Sequence, residues 1–129
     1  MDKNELMSRT KSFALEVIQI VEGLPANSAN NVIVYQLVKS STSIGANYRE
    51  ALRAESKADF IHKIGIVEKE ASESEWWLEL LQERRHIDPV KVDAALGECR
   101  ELLKIFCTTG RTAKRRRAPN PQSTTRNLQ

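Results

Sequence analysis

The sequence predicts an all-α protein, an antiparallel up-down-up-down four-helix bundle, and three observations carry that prediction. Ala, Leu, Glu, Lys and Arg are abundant, aromatics make up only 5% of residues, and Gly and Pro gather at a few points. That is a composition of helix formers with punctuation. Apolar residues recur at three- and four-residue steps in four separate segments. The segments are joined by only a few residues each, which forces successive helices to lie side by side and antiparallel.

The first helix is predicted from about Lys3 to Glu22, where Leu6, Phe13, Val17, Ile20 and Leu24 share a face and Gly23 and Pro25 end the run. Asn27-Ser28-Ala29-Asn30-Asn31 offers several N-caps for a second helix. Its stripe is Val34, Leu37/Val38, Ser41, Ile44/Gly45, Tyr48 and Ala51/Leu52. The third opens on Ser56-Lys57-Ala58-Asp59, where the Ser hydroxyl can take the backbone donor three residues on. Phe60, Ile64, Val67, Ala71, Ser74, Leu78 and Leu81 then alternate four- and three-residue steps, the strongest periodic signal in the chain. Asp88-Pro89 starts a fourth helix with an acid N-cap and Pro at the first helical position. Val92, Leu96, Cys99, Leu103 and Phe106 are its buried face, and Thr108-Thr109-Gly110 is its predicted end.

At 129 residues the chain is one domain's worth, long enough to bury a core without disulfides or metals. The expected division is a bundle over residues 1–110 and a basic, disordered tail over 111–129, with room for one more helical turn. Charge follows the same division. Residues 1–110 hold 14 Lys/Arg and all 17 Asp/Glu, a net of −3, whereas Arg111, Lys114, Arg115, Arg116, Arg117 and Arg126 give the tail +6. The pI near 9.0 is therefore a property of the tail.

Cys99 and Cys107 would lie roughly 12 Å apart along one helix, too far to pair. Two thiols without a disulfide framework, and no secretory signal, lead to the expectation of a cytoplasmic protein. The longest apolar run, Val32-Ile33-Val34-Tyr35, is far short of a membrane span.

The unusual feature of the chain is Ser40-Ser41-Thr42-Ser43-Ile44-Gly45-Ala46-Asn47, small and polar residues in mid-helix. Ser43, Asn47 and Glu50 share one face of the second helix, and Lys63, Glu70 and Glu73 share one of the third, where Trp77 continues the stripe. The pattern reads as a hydrogen-bonded interhelical seam that fixes register, with Gly45 and Ala46 allowing close approach. The alternative is a carboxylate site on Glu50, Glu70 and Glu73. A ferritin-like dinuclear metal centre needs Glu-x-x-His motifs on two helices. Here Asp59-x-x-His62 and Glu83-x-x-His86 both fall on the third, with their histidines about 36 Å apart at helical rise. No catalytic set, metal set or cofactor motif emerges, so the chain reads as a non-enzyme. Trp76 projects away from the core face and suits a subunit interface better than base stacking. The Lys114–Arg117 run can contact phosphates without reading sequence, and a solvated tail with no partner is the alternative.

A joint pattern over about residues 6–106 carries a resemblance. It comprises Gln36-Leu37, Ser40, Ser43 to Ala51, Asp59 to Lys63, Glu68, Glu70-Ala71, Glu73 and Trp77-Leu78. It resembles the S23 family, four-helix bundles encoded in intervening sequences of bacterial 23S ribosomal RNA genes. The resemblance implies a ring-like homopentamer with no known catalytic activity. More distantly, the chain is similar to the accessory variability proteins of diversity-generating retroelements, pentameric bundles that bind a reverse transcriptase and nucleic acid. The Arg-rich tail lies outside the shared pattern. The expected partners are thus further copies of the chain and RNA, DNA or a reverse transcriptase. A protein-binding scaffold with no nucleic-acid role is the competing expectation.

Overall fold

The structure, a computed structural model, describes residues 1–117, with side chains through Arg116. Four helices follow in order: α1 (Lys3–Glu22), α2 (Ser28–Leu52), α3 (Lys57–Glu83) and α4 (Pro89–Arg117). Each sequential pair packs together, and α1 closes the ring against α4. Among the described residues α1 and α3 share no such contact, nor do α2 and α4, as expected for a four-helix bundle with α1 diagonal to α3.

The helix starts are fixed by side chains that take otherwise orphaned N–H groups. Asp2 accepts the Glu5 N–H at 2.8 Å while Glu5 accepts the Asp2 N–H at 3.3 Å, a reciprocal capping box. Asn27 accepts from Asn30 N–H at 2.8 Å and Ser56 from Asp59 N–H at 3.0 Å. Asp88 accepts the Lys91 N–H at 3.3 Å and sits at φ 27°, a left-handed conformation that Asp tolerates better than most residues.

The core runs the length of the bundle through Phe13, Leu37, Ile44, Ile64, Leu78, Leu96 and Phe106, all fully buried. Tyr48 meets Phe106 edge-on with ring centroids 5.2 Å apart. Charged braces tie the outside. Arg9 on α1 holds Glu98 on α4 through two bonds of 2.9 and 2.6 Å, and Arg100 on α4 reaches Glu75 and Glu79 on α3.

One predicted boundary differs. α4 does not end at Thr108–Gly110 but continues to Arg117. Gly110 is buried inside it: a Cβ there would stand 2.6 Å from Glu68 Oε2 and 3.5 Å from Ile64 Cγ2. The glycine therefore sits inside the α3–α4 contact rather than stopping the helix. Ala113 is buried one turn further on, so Phe106, Gly110 and Ala113 extend the apolar stripe at steps of four and three.

Candidate functional site

The polar stretch of α2 mostly satisfies itself. Thr42 donates to Val38 O at 2.7 Å, Ser43 to Lys39 O at 2.6 Å, and Asn47 Nδ2 to Ser43 O at 2.9 Å. These bonds to the preceding turn let hydroxyl and amide groups sit in a helix without a partner on another element. One member does cross to a neighbour. Ser40 Oγ and Ser74 Oγ lie 2.8 Å apart, both fully buried, linking α2 to α3. Each hydroxyl has one proton, so Ser74 donates either to Ser40 Oγ or to Glu70 O at 2.9 Å, and Ser40 completes the chain. Gly45 faces α1 rather than α3: a Cβ on it would meet Thr10 Oγ1 at 2.8 Å and Thr10 Cβ at 3.2 Å. The small residue therefore serves the α1–α2 approach.

Of the six residues read as a seam, Glu50 and Lys63 come together across α2 and α3 at 2.8 Å. The pair is solvent-exposed on the Glu50 side, so it contributes little to stability. Ser43 and Asn47 bond to their own helix. Glu73 accepts from Trp77 Nε1 at 3.5 Å, one turn along α3. Glu70 is half-buried beside it, and burial, then the Glu73 charge, pushes its carboxyl above the usual range. Two neighbouring carboxylates make a surface that disfavours further negative charge.

Trp76 is 56% exposed on the outer face of α3, in line with the exposed Gly65, Lys69, Ser72 and Glu83. Cys99 is buried, donates to Ala71 O at 3.3 Å, and has its thiol pushed up to about 12 by burial. A thiol in that state packs as a small apolar group and is no nucleophile. Among the described residues no group of three His, Cys, Asp or Glu is placed to hold a metal ion. No helix among them is long and apolar enough to cross a membrane.

The basic segment is partly structured. Arg111, Lys114, Arg115 and Arg116 ride the last two turns of α4, with Arg111 Nη2 3.4 Å from Thr108 Oγ1. The Arg117 side chain and Arg126 lie outside the described residues. Sequence reasoning missed the cations that join them. In an up-down-up-down bundle the start of α1, the end of α2, the start of α3 and the end of α4 share one end of the molecule, which brings Lys3, Arg49, Arg53 and Lys57 there as well.

None of these four, nor Lys114, Arg115 or Arg116, pairs with a carboxylate among the described residues. The acids of that end are mostly engaged: Asp2 and Glu5 with each other's backbone, Glu50 with Lys63, and Asp59 with the Glu55 N–H at 3.4 Å. Helix connectivity was the signal that could have found the cluster, because counting charge along the chain cannot separate one end of a bundle from the other.

Comparison with known proteins bears on the fold and the family. The family model described as 23S rRNA-intervening sequence protein matches residues 2–108. A crystal structure of a protein of unknown function from the S23 ribosomal protein family, from Bacteroides thetaiotaomicron VPI-5482, is similar at TM-score 0.74 and 34% identity. That match covers 81% of this chain and 97% of the other. Among curated proteins none matches the chain.

Proposed function

The chain belongs to the 23S rRNA-intervening sequence protein family, and from that premise we propose a non-catalytic, homo-oligomeric bundle that binds RNA or a ribonucleoprotein through its basic end. One observation carries the reading. Unpaired cations from all four helices gather at the end from which the C-terminal Arg-rich segment departs, although residues 1–110 are net acidic. Phosphates are the ligand for such a surface, because each contact releases counterions and adds affinity without needing base recognition. A ring of five copies repeats the surface, and avidity then turns modest individual contacts into useful ones. The exposed Trp76 supports the competing reading of a protein-binding scaffold, in which the basic end plays no part.

A salt titration of oligo(U) binding separates the two. The full chain is compared with a full-length variant carrying Gln at Lys114, Arg115, Arg117 and Arg126. The full chain should bind at low salt with log K falling linearly in log salt. The variant should show a slope shallower by up to about 2.8, at roughly 0.7 for each phosphate no longer neutralised. Equal slopes would rule out the Arg-rich segment as a phosphate contact, and no binding by either protein at low salt would overturn the reading. Light scattering on the same samples should give about five times the 14.6 kDa chain mass. A monomer at micromolar concentration contradicts the ring.

A further inference from the structure

The basic end is grooved as well as charged, and the groove suits a particular form of nucleic acid. Two adjoining hollows of about 720 and 310 Å³ share Lys57, Phe60, Thr109 and Arg116. Their size lies in the range, about 300–1,000 Å³, that small-ligand sites occupy. The cations reach them from three helices, Lys3 from α1, Lys57 from α3 and Arg116 from α4. Phe60 lines both hollows beside Lys57 and Arg116, half-buried against the core and so held in place. Tyr48 lines the larger hollow and is braced edge-on by Phe106. Among the described residues Glu55 is the only carboxylate lining either hollow.

Resting on the reading that the basic end binds RNA, we propose that this groove is a docking site for one unpaired nucleotide of a single-stranded RNA. Its base stacks on Phe60 and its flanking phosphates lie on Lys57 and Arg116. Cations alone would serve a duplex equally well. An aromatic ring lining the same hollow is useful only to a strand whose bases are free to turn out of the stack. An acidic peptide would satisfy the cations and leave Phe60 without a role.

The test is fluorescence anisotropy on the full chain with a labelled oligo(U) of about 12 nucleotides, run beside a duplex of matching length and an oligoglutamate of matching charge. Phe60→Leu keeps the apolar packing but removes the ring, and should weaken oligo(U) binding roughly tenfold while leaving duplex binding unchanged. Phe60→Tyr should restore it. Lys57→Gln with Arg116→Gln should make the salt slope shallower by about 1.4. The charge-matched control, Lys69→Gln with Arg85→Gln, should change little. Thermal melts identify any variant that has lost its fold; should Phe60→Leu be one, the preference of the unaltered chain for oligo(U) over the duplex carries the comparison.

If oligo(U) binds but Phe60→Leu is silent, or duplex or oligoglutamate binds as tightly as oligo(U), the groove proposal is wrong while RNA binding by the basic end can stand. No binding of any probe by the full chain overturns both.

Discussion

Gly45 and Gly110 are both glycines in mid-helix, yet their neighbours give them opposite substitution behaviour. A Cβ on Gly45 meets the Oγ1 and Cβ of Thr10, a short β-branched side chain that is fully buried and bonded to Met7 O at 2.7 Å. It cannot step aside without moving α1. Gly45→Ala should therefore cost about 1–3 kcal/mol, as overpacking does. At Gly110 the nearest atom is the far end of Glu68, which can rotate away. The helix-propensity gain of Ala over Gly, up to about 1 kcal/mol, then prevails, and Gly110→Ala should be neutral or stabilising. Chemical denaturation of the two variants would check this, and the account fails if their order is reversed.

Glu70 gives a prediction in pH. Its folded-state carboxyl titrates above the ordinary value of 4.5 because burial and Glu73 disfavour its charge. The folded protein thus holds that proton more tightly than the unfolded chain, and this residue's contribution to stability falls as pH rises through the window above 4.5. Glu70→Gln should raise the melting temperature at pH 7, and the advantage should vanish as the pH falls below about 4. An advantage that persists in acid would point to packing rather than charge.

At the scale of elements, what could be read from the sequence was what periodicity and capping specify. The 4-3 repeat of α3, the Ser56 cap and the Asp88-Pro89 start all describe local geometry, and each is decided by residues within a turn or two of one another. The end of α4 is not legible in the sequence because a glycine after Thr108-Thr109 suits a terminator and an interior position of a packed helix alike, and only the neighbouring helix tells them apart. The buried position of Ala113 gives a check: Ala113→Glu should destabilise the bundle by roughly 1–3 kcal/mol, as burial of an unpaired charge does. A melting temperature equal to that of the parent would mean the helix does not dock beyond Gly110.

The seam was legible only in outline for the same reason. Spacing placed Glu50 and Lys63 on facing stripes. Which of the small hydroxyls would cross between helices depended on rotation angle, and it is Ser40 with Ser74 that do so. Removing one of that pair leaves the other buried and underserved, so Ser74→Ala should cost about 1–2 kcal/mol. Ser40→Ala with Ser74→Ala should cost less than the sum of the single changes.

Over the whole molecule, the property that bears most on function is where charge sits in space, and that is where linear reading fell short. Residues 1–110 sum to a net negative charge, which on its own describes a body indifferent to phosphates. The fold sorts those charges. Carboxylates such as Glu75, Glu79 and Glu98 are spent in ion pairs along the α3–α4 and α1–α4 contacts, while the cations of four helix termini are left unpaired at one end. Bundle topology, which the sequence specified well, converts a net acidic body into one with a basic pole, and the Arg-rich run continues that pole rather than acting alone.

Amide hydrogen exchange of the full chain with and without oligo(U) tests directly whether RNA docks on this pole. Amides in the first turn of a helix lack intrahelical acceptors and helix ends fray, so bound RNA has protection to confer at the start of α3 and the end of α4. Bound RNA should slow exchange over residues 57–61 and 108–116 and leave the opposite end, residues 84–91, unchanged. Protection at residues 84–91, or around Trp76 alone, would contradict docking on this pole.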